Sequence, residues 1–391
     1  MTRFPGLDGL RGWLAWTVVL HHILFFTGLG ASWLPPGAVM EAGMLAVMIF
    51  VILSGFVITH LIIEKDEPYG PYLARRALRI YPIYLLALLM GIGATFLTFR
   101  TFLTPGGVAD PVALATIPYP QIDSLRFDRA ALQGGAYFTH LALHLTMLQG
   151  IFAQSFLPDA AFMFLAPAWS LSLEWQFYLV APFVVRASRR VLPAIGLALA
   201  TLAVFYLFSL NLFGWWGLPS FLPGASLYFA IGIASRLLIT GEPLRFSWRA
   251  APAAILAIGF LVMGAWKLPA EVWLVFLAAS LYRVRGSTFG RPIHRVFGVL
   301  FESRLARHLG EASYSTYLVH LPLLQIAMYL AIRVLALGPA NAILFVAFGT
   351  LVSTYALSQL TYRFVELPFI ARGKRWARQA SPKESPAISS T

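Results

Sequence analysis

The chain has 391 residues, of which 59% are hydrophobic and 12% are charged, and its mean hydropathy is +0.75. This composition excludes an ordinary soluble domain, and the absence of cysteine excludes disulfides, thiolate catalysis and cysteine metal sites. The net charge of +13 fits the arginine bias of cytoplasmic loops in membrane proteins, so we expect no nucleic-acid partner.

Apolar segments that are long enough to cross a membrane follow one another along most of the chain. An eleventh apolar segment, 136–152, is the weakest, since it holds His140, His144 and Gln149, and its crossing would split the arginine clusters between the two sides. With that segment outside the membrane and a cytoplasmic N-terminus, 24 of the 29 lysines and arginines fall on the inner side. The sequence therefore predicts an all-α polytopic membrane protein of about ten transmembrane helices, with both termini cytoplasmic. The predicted spans are 10–29, 40–63, 81–99, 169–186, 192–210, 218–238, 250–266, 270–283, 311–335 and 340–362.

An insertion rich in proline and glycine occupies residues 100–168, and we predict it on the outer side as a loop or re-entrant segment. It could cap an outward-facing pocket or form an inert surface loop, since long loops are only sometimes functional. We expect a membrane-embedded domain over 1–370. A basic and then Ser/Pro-rich cytoplasmic tail over 371–391 follows it, and its end, 381–391, is expected to be disordered.

The first span has an arginine at its entrance and a histidine near its middle. Arg11 and His22 are eleven residues apart. On an α-helix their side chains therefore lie within about 20° of each other on one face and about 16 Å apart along the axis. A histidine in mid-membrane is costly unless it faces protein or water. His22 is therefore either a functional residue or one that hydrogen-bonds a neighbouring helix.

Small and basic residues mark the next two segments. Ser54 and Gly55 permit close approach of two helices, and packing is the simpler interpretation of that pair. Arg76 and Arg79 lie on one helical face at the predicted inner surface. Guanidinium groups there suit a polyphosphate, because each binds phosphate oxygens with two hydrogen bonds, but they also suit anionic lipid headgroups.

Two later spans each contain a titratable residue. Glu174 lies about a turn and a half into a span that enters from the outside, so we expect it to be paired, protonated or functional. His320 lies about 14 Å into its span from the inside, which matches the expected depth of His22. The two histidines could therefore share a site.

Metal and serine chemistry are not predicted. His140 and His144 are four residues apart but have no nearby third ligand, so we interpret them as structural. Ser54 lacks the Gly-x-Ser-x-Gly setting of a hydrolase nucleophile. We expect no metal site.

Six motifs, in order over about residues 5–370, resemble those of the bacterial acyltransferase-3 family, which are integral-membrane O-acyltransferases that modify sugars and related acceptors. The motifs are Leu7-Asp-Gly-Leu-Arg11-Gly with His22, the Ser54-Gly-Phe element, Arg76-x-x-Arg79, Trp169-Ser-Leu-Ser-Leu-Glu174-Trp-Gln-Phe-Tyr178, Ser313-Tyr-Ser-Thr-Tyr317-Leu-Val-His320 and Arg363-Phe-Val-Glu366-Leu-Pro368.

The resemblance implies an enzyme in the bacterial cytoplasmic (inner) membrane that has no bound cofactor. Its co-substrate would be acyl-CoA, usually acetyl-CoA, and its acceptor a hydroxyl of a cell-surface glycan, glycolipid or secreted glycoside. His22 would be the general base or acyl carrier, and Glu174 would orient an imidazole or bind the acceptor. The residues implied in catalysis are His22, Glu174 and His320, and those implied in donor binding are Arg11, Arg76, Arg79, Ser54 and Tyr317.

A transporter or flippase for a sugar, lipid or acyl group is the alternative, because buried His and Glu also serve as proton relays. The sequence shows no inverted repeat and no matching pair of broken spans, which are typical of transporters.

Overall fold

The computed structural model describes residues 4, 6–30, 34–35, 37–239, 252, 255–257, 259, 267–284 and 291–380. Within these residues the chain is built from α-helices, and its β-structure is one isolated bridge between Leu103 and Ala109. Most of the predicted span 250–266 lies outside the described residues. The tail segment 381–391 lies outside them as well.

The longer helices of the described residues each have 17 residues or more. Their bounds are Leu7–Thr27 (α1), Ala38–Lys65 (α2), Tyr69–Phe102 (α3), Trp169–Ala187 (α7), Val191–Ser209 (α8), Leu222–Leu238 (α9), Leu268–Val284 (α10), Ser313–Tyr329 (α13) and Pro339–Thr361 (α14). Shorter helices are Pro111–Thr116 (α4), Ile122–Gln133 (α5), Tyr137–Leu145 (α6), Arg291–Glu302 (α11), Arg304–Glu311 (α12) and Leu367–Ala380 (α15).

Among the described residues, five helices are long and apolar enough to cross a membrane, which agrees with an all-α membrane protein. They are Ala38–Lys65, Tyr69–Phe102, Val191–Ser209, Ser313–Val334 and Pro339–Ala377. By contrast α6 has nine residues, or about 14 Å, which is too short for a hydrocarbon layer of about 30 Å. The segment 136–152 is therefore not a straight membrane helix, and the number of ten spans stays a prediction.

Helix α3 is longer than the predicted span 81–99. It begins at Tyr69 and continues through Pro82 to Phe102, a length of about 51 Å. The segment that holds Arg76 and Arg79 is therefore rigidly continuous with the span, and the two arginines keep the common face that their spacing predicts.

Helix α2 is the centre of the bundle and packs most extensively on α9, with α1, α7 and α10 around it. The contact with α9 depends on two glycines. A Cβ atom at Gly55 would lie 2.5 Å from the carbonyl oxygen of Phe229, and one at Gly232 would collide with the carbonyl oxygen of Ile52. Backbone therefore lies directly on backbone at this crossing, as small residues in membrane helices allow.

The insertion packs on one end of the bundle. A separate apolar cluster joins its Ile117 and Tyr119 to Phe26 of α1 and Leu324 of α13. A π-helical turn, Leu330–Val334, extends α13 at this end.

An ion pair reinforces the attachment of the insertion. In it Arg333 donates to Asp110 (2.6 Å) and to the carbonyl oxygen of Thr101. Asp110 also caps α4 by accepting from the backbone N–H groups of Val112 and Ala113.

The C-terminal helix α15 follows α14 through a π-helical turn, Tyr362–Glu366, and packs on α3. Gly373 faces the Cα of Arg75, so α15 lies close to the arginine-bearing part of α3. The predicted boundary at residue 370 falls inside α15, and residues up to 380 continue the same helix.

Candidate functional site

A cavity with a volume of about 100 Å³ opens between α1, α2, α3, α7, α9 and α13. Its polar lining residues are Arg11, Ser54, Arg76, Arg79, Ser170, Glu174, Tyr178, Ser313, Tyr314 and Tyr317. Its apolar lining residues are Val47, Phe50, Val51, Leu53, Val57, Ile58, Ile80, Leu171 and Phe229.

The cavity brings together the three arginines that sequence reasoning assigned to the donor. Arg11 comes from α1, and Arg76 and Arg79 come from adjacent turns of α3. Arg76 is 6% exposed and lies over the ring of Tyr178 at 6.0 Å. Among the described residues neither Arg76 nor Arg79 forms an ion pair, whereas their neighbour Arg75 pairs with Glu67. The cavity therefore holds buried positive charge that is not neutralised by direct carboxylate partners.

Glu174 lies in the same cavity. Its Oε1 accepts hydrogen bonds from the hydroxyl of Ser54 (2.7 Å) and from the hydroxyl of Tyr178 (2.5 Å). The sequence interpretation of Ser54 as a packing residue is thus incomplete. Gly55 provides the helix contact, while Ser54 faces the cavity and binds the carboxylate.

The structure does not put Glu174 beside an imidazole. Its level along α2 is fixed by Ser54, while the histidine of α1 that packs on α2, His21, lies against Gly43. Eleven residues, or about 16 Å of helix rise, separate Ser54 from Gly43. The expectation that Glu174 orients an imidazole assumed that its entry from one side places it near the histidines. The offset of α7 along α2 instead brings it to the arginines.

His22 and His320 lie together next to the cavity, outside its lining. Nδ1 of His22 is 3.2 Å from Nε2 of His320, and it is also 2.9 Å from the carbonyl oxygen of Val18. A carbonyl oxygen only accepts, so Nδ1 of neutral His22 carries the proton and its Nε2 carries the lone pair. No described residue hydrogen-bonds that Nε2. The histidine pair can therefore accept a proton at Nε2 of His22.

The neighbouring histidine has different surroundings. His21 is turned toward α2, where its Nδ1 is 2.6 Å from the carbonyl oxygen of Val39 and its ring packs on Gly43. A helix rotates about 100° per residue, which explains why adjacent histidines face different helices.

Tyr317 connects the cavity with the histidine pair. Its hydroxyl is 2.7 Å from the hydroxyl of Ser170 and donates to the carbonyl oxygen of Pro167 at 2.9 Å. Its ring centroid is 6.1 Å from that of His320, one turn further along α13. The cavity thus ends one side chain away from the histidines.

Sequence reasoning did not assign Tyr178 or Ser170 to the site. Tyr178 follows Glu174 by four residues, so helical spacing alone could have found it. The place of Ser170 in the site depends on its contact with Tyr317, which is 147 residues away in the chain. No local sequence pattern indicates such a contact. In the part of the chain that the structure describes, no three His, Asp or Glu side chains are grouped to hold a metal ion.

Comparison with known proteins identifies the family of this chain. A family model described as "Acyltransferase domain" matches residues 4–359. The chain is 27% identical to the acyltransferase MdmB of Streptomyces mycarofaciens over 358 residues, which cover 82% of this chain and 79% of that protein. It is 24% identical to the peptidoglycan O-acetyltransferase OatA of Listeria monocytogenes, covering 94% of this chain and 56% of that protein.

The O-acetyltransferase OatA of Staphylococcus aureus is 23% identical over 94% of this chain, which spans 57% of its length. This chain thus corresponds to little more than half of the OatA proteins. No solved structure matches. The family match extends over nearly the whole chain and includes the cavity and both histidines, so the protein is an acyltransferase of the acyltransferase-3 family.

Proposed function

We propose that this membrane O-acyltransferase moves an acyl group, such as acetyl, from acyl-CoA to a hydroxyl of a sugar-containing acceptor. The observation that carries the proposal is the pair Arg76 and Arg79, which line a cavity and form no ion pair with a carboxylate of the described residues. Two of the relatives are named as O-acetyltransferases, one of them acting on peptidoglycan, which supports a sugar hydroxyl as acceptor.

The anionic part of the donor binds at the arginines. Coenzyme A carries several phosphate charges, and a guanidinium group binds phosphate oxygens with two parallel hydrogen bonds. Its pantetheine arm lies along the α2 face of the cavity. From Ile58 to Val47 this face extends over eleven residues, about 16 Å, which suits a long and flexible arm.

The chemical step uses the lone pair on Nε2 of His22. This atom takes the proton of the acceptor hydroxyl while the hydroxyl oxygen attacks the thioester carbonyl carbon. A C–O bond forms, the C–S bond breaks, and the thiolate of CoA leaves and takes up the proton that His22 had accepted. In the covalent alternative the same lone pair attacks the thioester carbon, the C–S bond breaks and the thiolate leaves. The acceptor hydroxyl then attacks the acyl-histidine, the N–C bond breaks, and the hydroxyl proton is the one that ends on the thiolate of CoA.

The donor is taken from the cytoplasm, and the acceptor arrives from the outer side of the bacterial inner membrane. This orientation follows from the distribution of lysine and arginine between the two sides. A reporter fused near Arg129 of the insertion is exported, and one fused near Arg189 stays cytoplasmic. Both reporters on one side would contradict the topology.

The direct test of the donor measures free CoA released from acetyl-CoA by the purified protein in lipid nanodiscs. The chain contains no cysteine, so a thiol reagent detects released CoA without background from the protein. We expect release that needs the protein and increases with added sugar acceptors. Absence of both acyl-CoA binding and CoA release would contradict the proposal and favour transport of a preformed group.

The acceptor is identified in cells. Mass spectrometry of envelope glycans and secreted glycosides, with and without the gene, shows which molecule loses an acyl group. A loss that is restored by the wild-type gene but not by His22→Gln assigns the acceptor to this enzyme.

A further inference from the structure

The cavity has a charged end and an apolar end, and contacts between α2 and α7 fix which is which. Ser54 contacts Glu174, and Arg186 lies 3.8 Å from Asp66, so the two helices run in the same direction with residues 120 apart at one level. Tyr178, which faces Arg76, is therefore level with Ile58. The charged end lies at this level.

The opposite end is lined by the aromatic rings of Phe50 and Tyr317. By the same offset, Phe50 of α2 is level with Ser170 of α7. The Phe50 ring is 6.1 Å from the ring of Tyr317, whose hydroxyl is held by Ser170 and Pro167. The Tyr317 ring is also 6.1 Å from the ring of His320. Phe50 thus lies near the apolar end of the cavity, one turn before Val47, and contacts the tyrosine that also contacts the histidine pair.

A thioester whose phosphates are held at the charged end presents its acyl group at this apolar end. We propose that Phe50 sets the length of the acyl chain by occupying the space that a longer chain would need, so the donor has a short acyl group. This inference rests on the proposed function, because it assumes that acyl-CoA is the donor.

The wall that carries Phe50 has little freedom to move away. A longer chain would have to displace either the Phe50 ring or α2 itself. Gly55 holds α2 directly on the backbone of α9, and Tyr317 is fixed by hydrogen bonds. Overfilling such a packed apolar site is unfavourable, and a single extra methylene changes selectivity about 10-fold or more.

The test compares acetyl-, butyryl- and hexanoyl-CoA with the wild type, Phe50→Ala and Phe50→Leu, all in nanodiscs. The measured quantities are the dissociation constant of each donor and the rate of free CoA release with water as acceptor. Phe50→Leu keeps an apolar side chain, so it preserves the test where Phe50→Ala is unstable. Val57→Ala is the matched control, since it removes bulk from the same helix face at the charged end.

We expect the wild type to prefer acetyl-CoA and Phe50→Ala to raise the hexanoyl-to-acetyl ratio at least about 10-fold, with a smaller rise in Phe50→Leu. Val57→Ala should leave the ratio within about twofold. An unchanged ratio in both Phe50 variants overturns the inference while the proposed donor stands. If the wild type neither binds nor cleaves any acyl-CoA, the proposed function fails together with the inference.

Discussion

The arginine-lined cavity and the histidine pair share helices α1 and α13, yet they have opposite properties. Helix α1 presents Arg11 at the charged end of the open cavity, and α13 presents Tyr317 at its apolar end. About 16 Å along α1, His22 meets His320, which is completely buried. Ligand binding and proton transfer are thus assigned to different levels of one bundle. Variants should therefore affect one without the other.

The largest expected effect is on the histidine pair. His22→Gln removes the lone pair on Nε2 but keeps a polar side chain, so acyl transfer should fall by about 10²- to 10⁴-fold. Donor affinity and melting temperature should stay near wild type, since the cavity is untouched. His21→Ala, on the α2 side, is the control and should lower transfer far less. A fully active His22→Gln enzyme would contradict the role of His22.

The second largest expected effect is on acyl-CoA binding in the cavity. Replacing both Arg76 and Arg79 with Ala should weaken acyl-CoA binding about 100-fold or more, because two charge-assisted phosphate contacts are lost. The salt dependence of binding should also decrease.

Arg75→Gln is the matched control for this pair, because Arg75 pairs with Glu67 and does not line the cavity. That variant should retain donor affinity in the folded protein, although it leaves Glu67 without its partner. Equal losses of acyl-CoA affinity in the control and in the double variant would contradict a role in donor binding. They would favour the alternative that Arg76 and Arg79 bind anionic lipid headgroups.

The third prediction tests whether Glu174 acts on the arginine-lined cavity or on the histidine pair. Glu174→Gln keeps hydrogen-bond acceptors for Ser54 and Tyr178 but removes the negative charge near the arginines. Acyl-CoA should then bind about 3- to 10-fold more tightly at low salt. The pH profile of transfer should keep its midpoint. A shifted midpoint would show that Glu174 acts on the imidazoles after all.

The smallest effect concerns the insertion. The hydrogen bond from Arg333 lowers the pKa of Asp110, so this pair stabilises the fold above the usual carboxyl range and loses its effect as pH falls below about 4. Asp110→Asn still caps α4, and should cost about 0.5–1 kcal/mol at pH 7.

The insertion experiment measures melting temperatures at pH 7 and at about pH 2, below the usual carboxyl pKa. The difference between Asp110→Asn and wild type should shrink at the lower pH, while transfer stays unchanged at pH 7. Asp123→Asn removes an exposed pair with Arg126 and serves as the control without effect. An equal difference at both pH values would mean that the ion pair contributes no stability.

Sequence reasoning reached the residues of both levels but not their arrangement. Helical spacing put Arg11 and His22 on one face, and depth along separate spans put His22 near His320, because both estimates need only the rise of a helix. The position of Glu174 depends on how far α7 is displaced along α2, and Ser170 on a partner 147 residues away. Such offsets between helices are set by packing of distant surfaces and have no local signal.

For the fold, too, the sequence predicted local features but not those that depend on packing between distant segments. Apolar periodicity predicted helices throughout, and it identified 136–152 as a poor span. It could not show that α3 begins at Tyr69 or that α15 continues beyond residue 370, since these ends are stabilised by contacts with each other. The family resemblance, in contrast, was confirmed because six short motifs in a fixed order need no knowledge of packing.

The glycine contact between α2 and α9 has a consequence for engineering. With backbone lying directly on backbone, a side chain added at Gly55 or Gly232 would force the central wall of the cavity apart, so we expect substitutions there to destabilise the bundle. New donor preferences should instead come from exchanging single side chains that project from this wall. A mutant library that leaves Gly55 and Gly232 unchanged and varies Val47, Phe50 and Val51 therefore samples altered specificities while keeping most members folded.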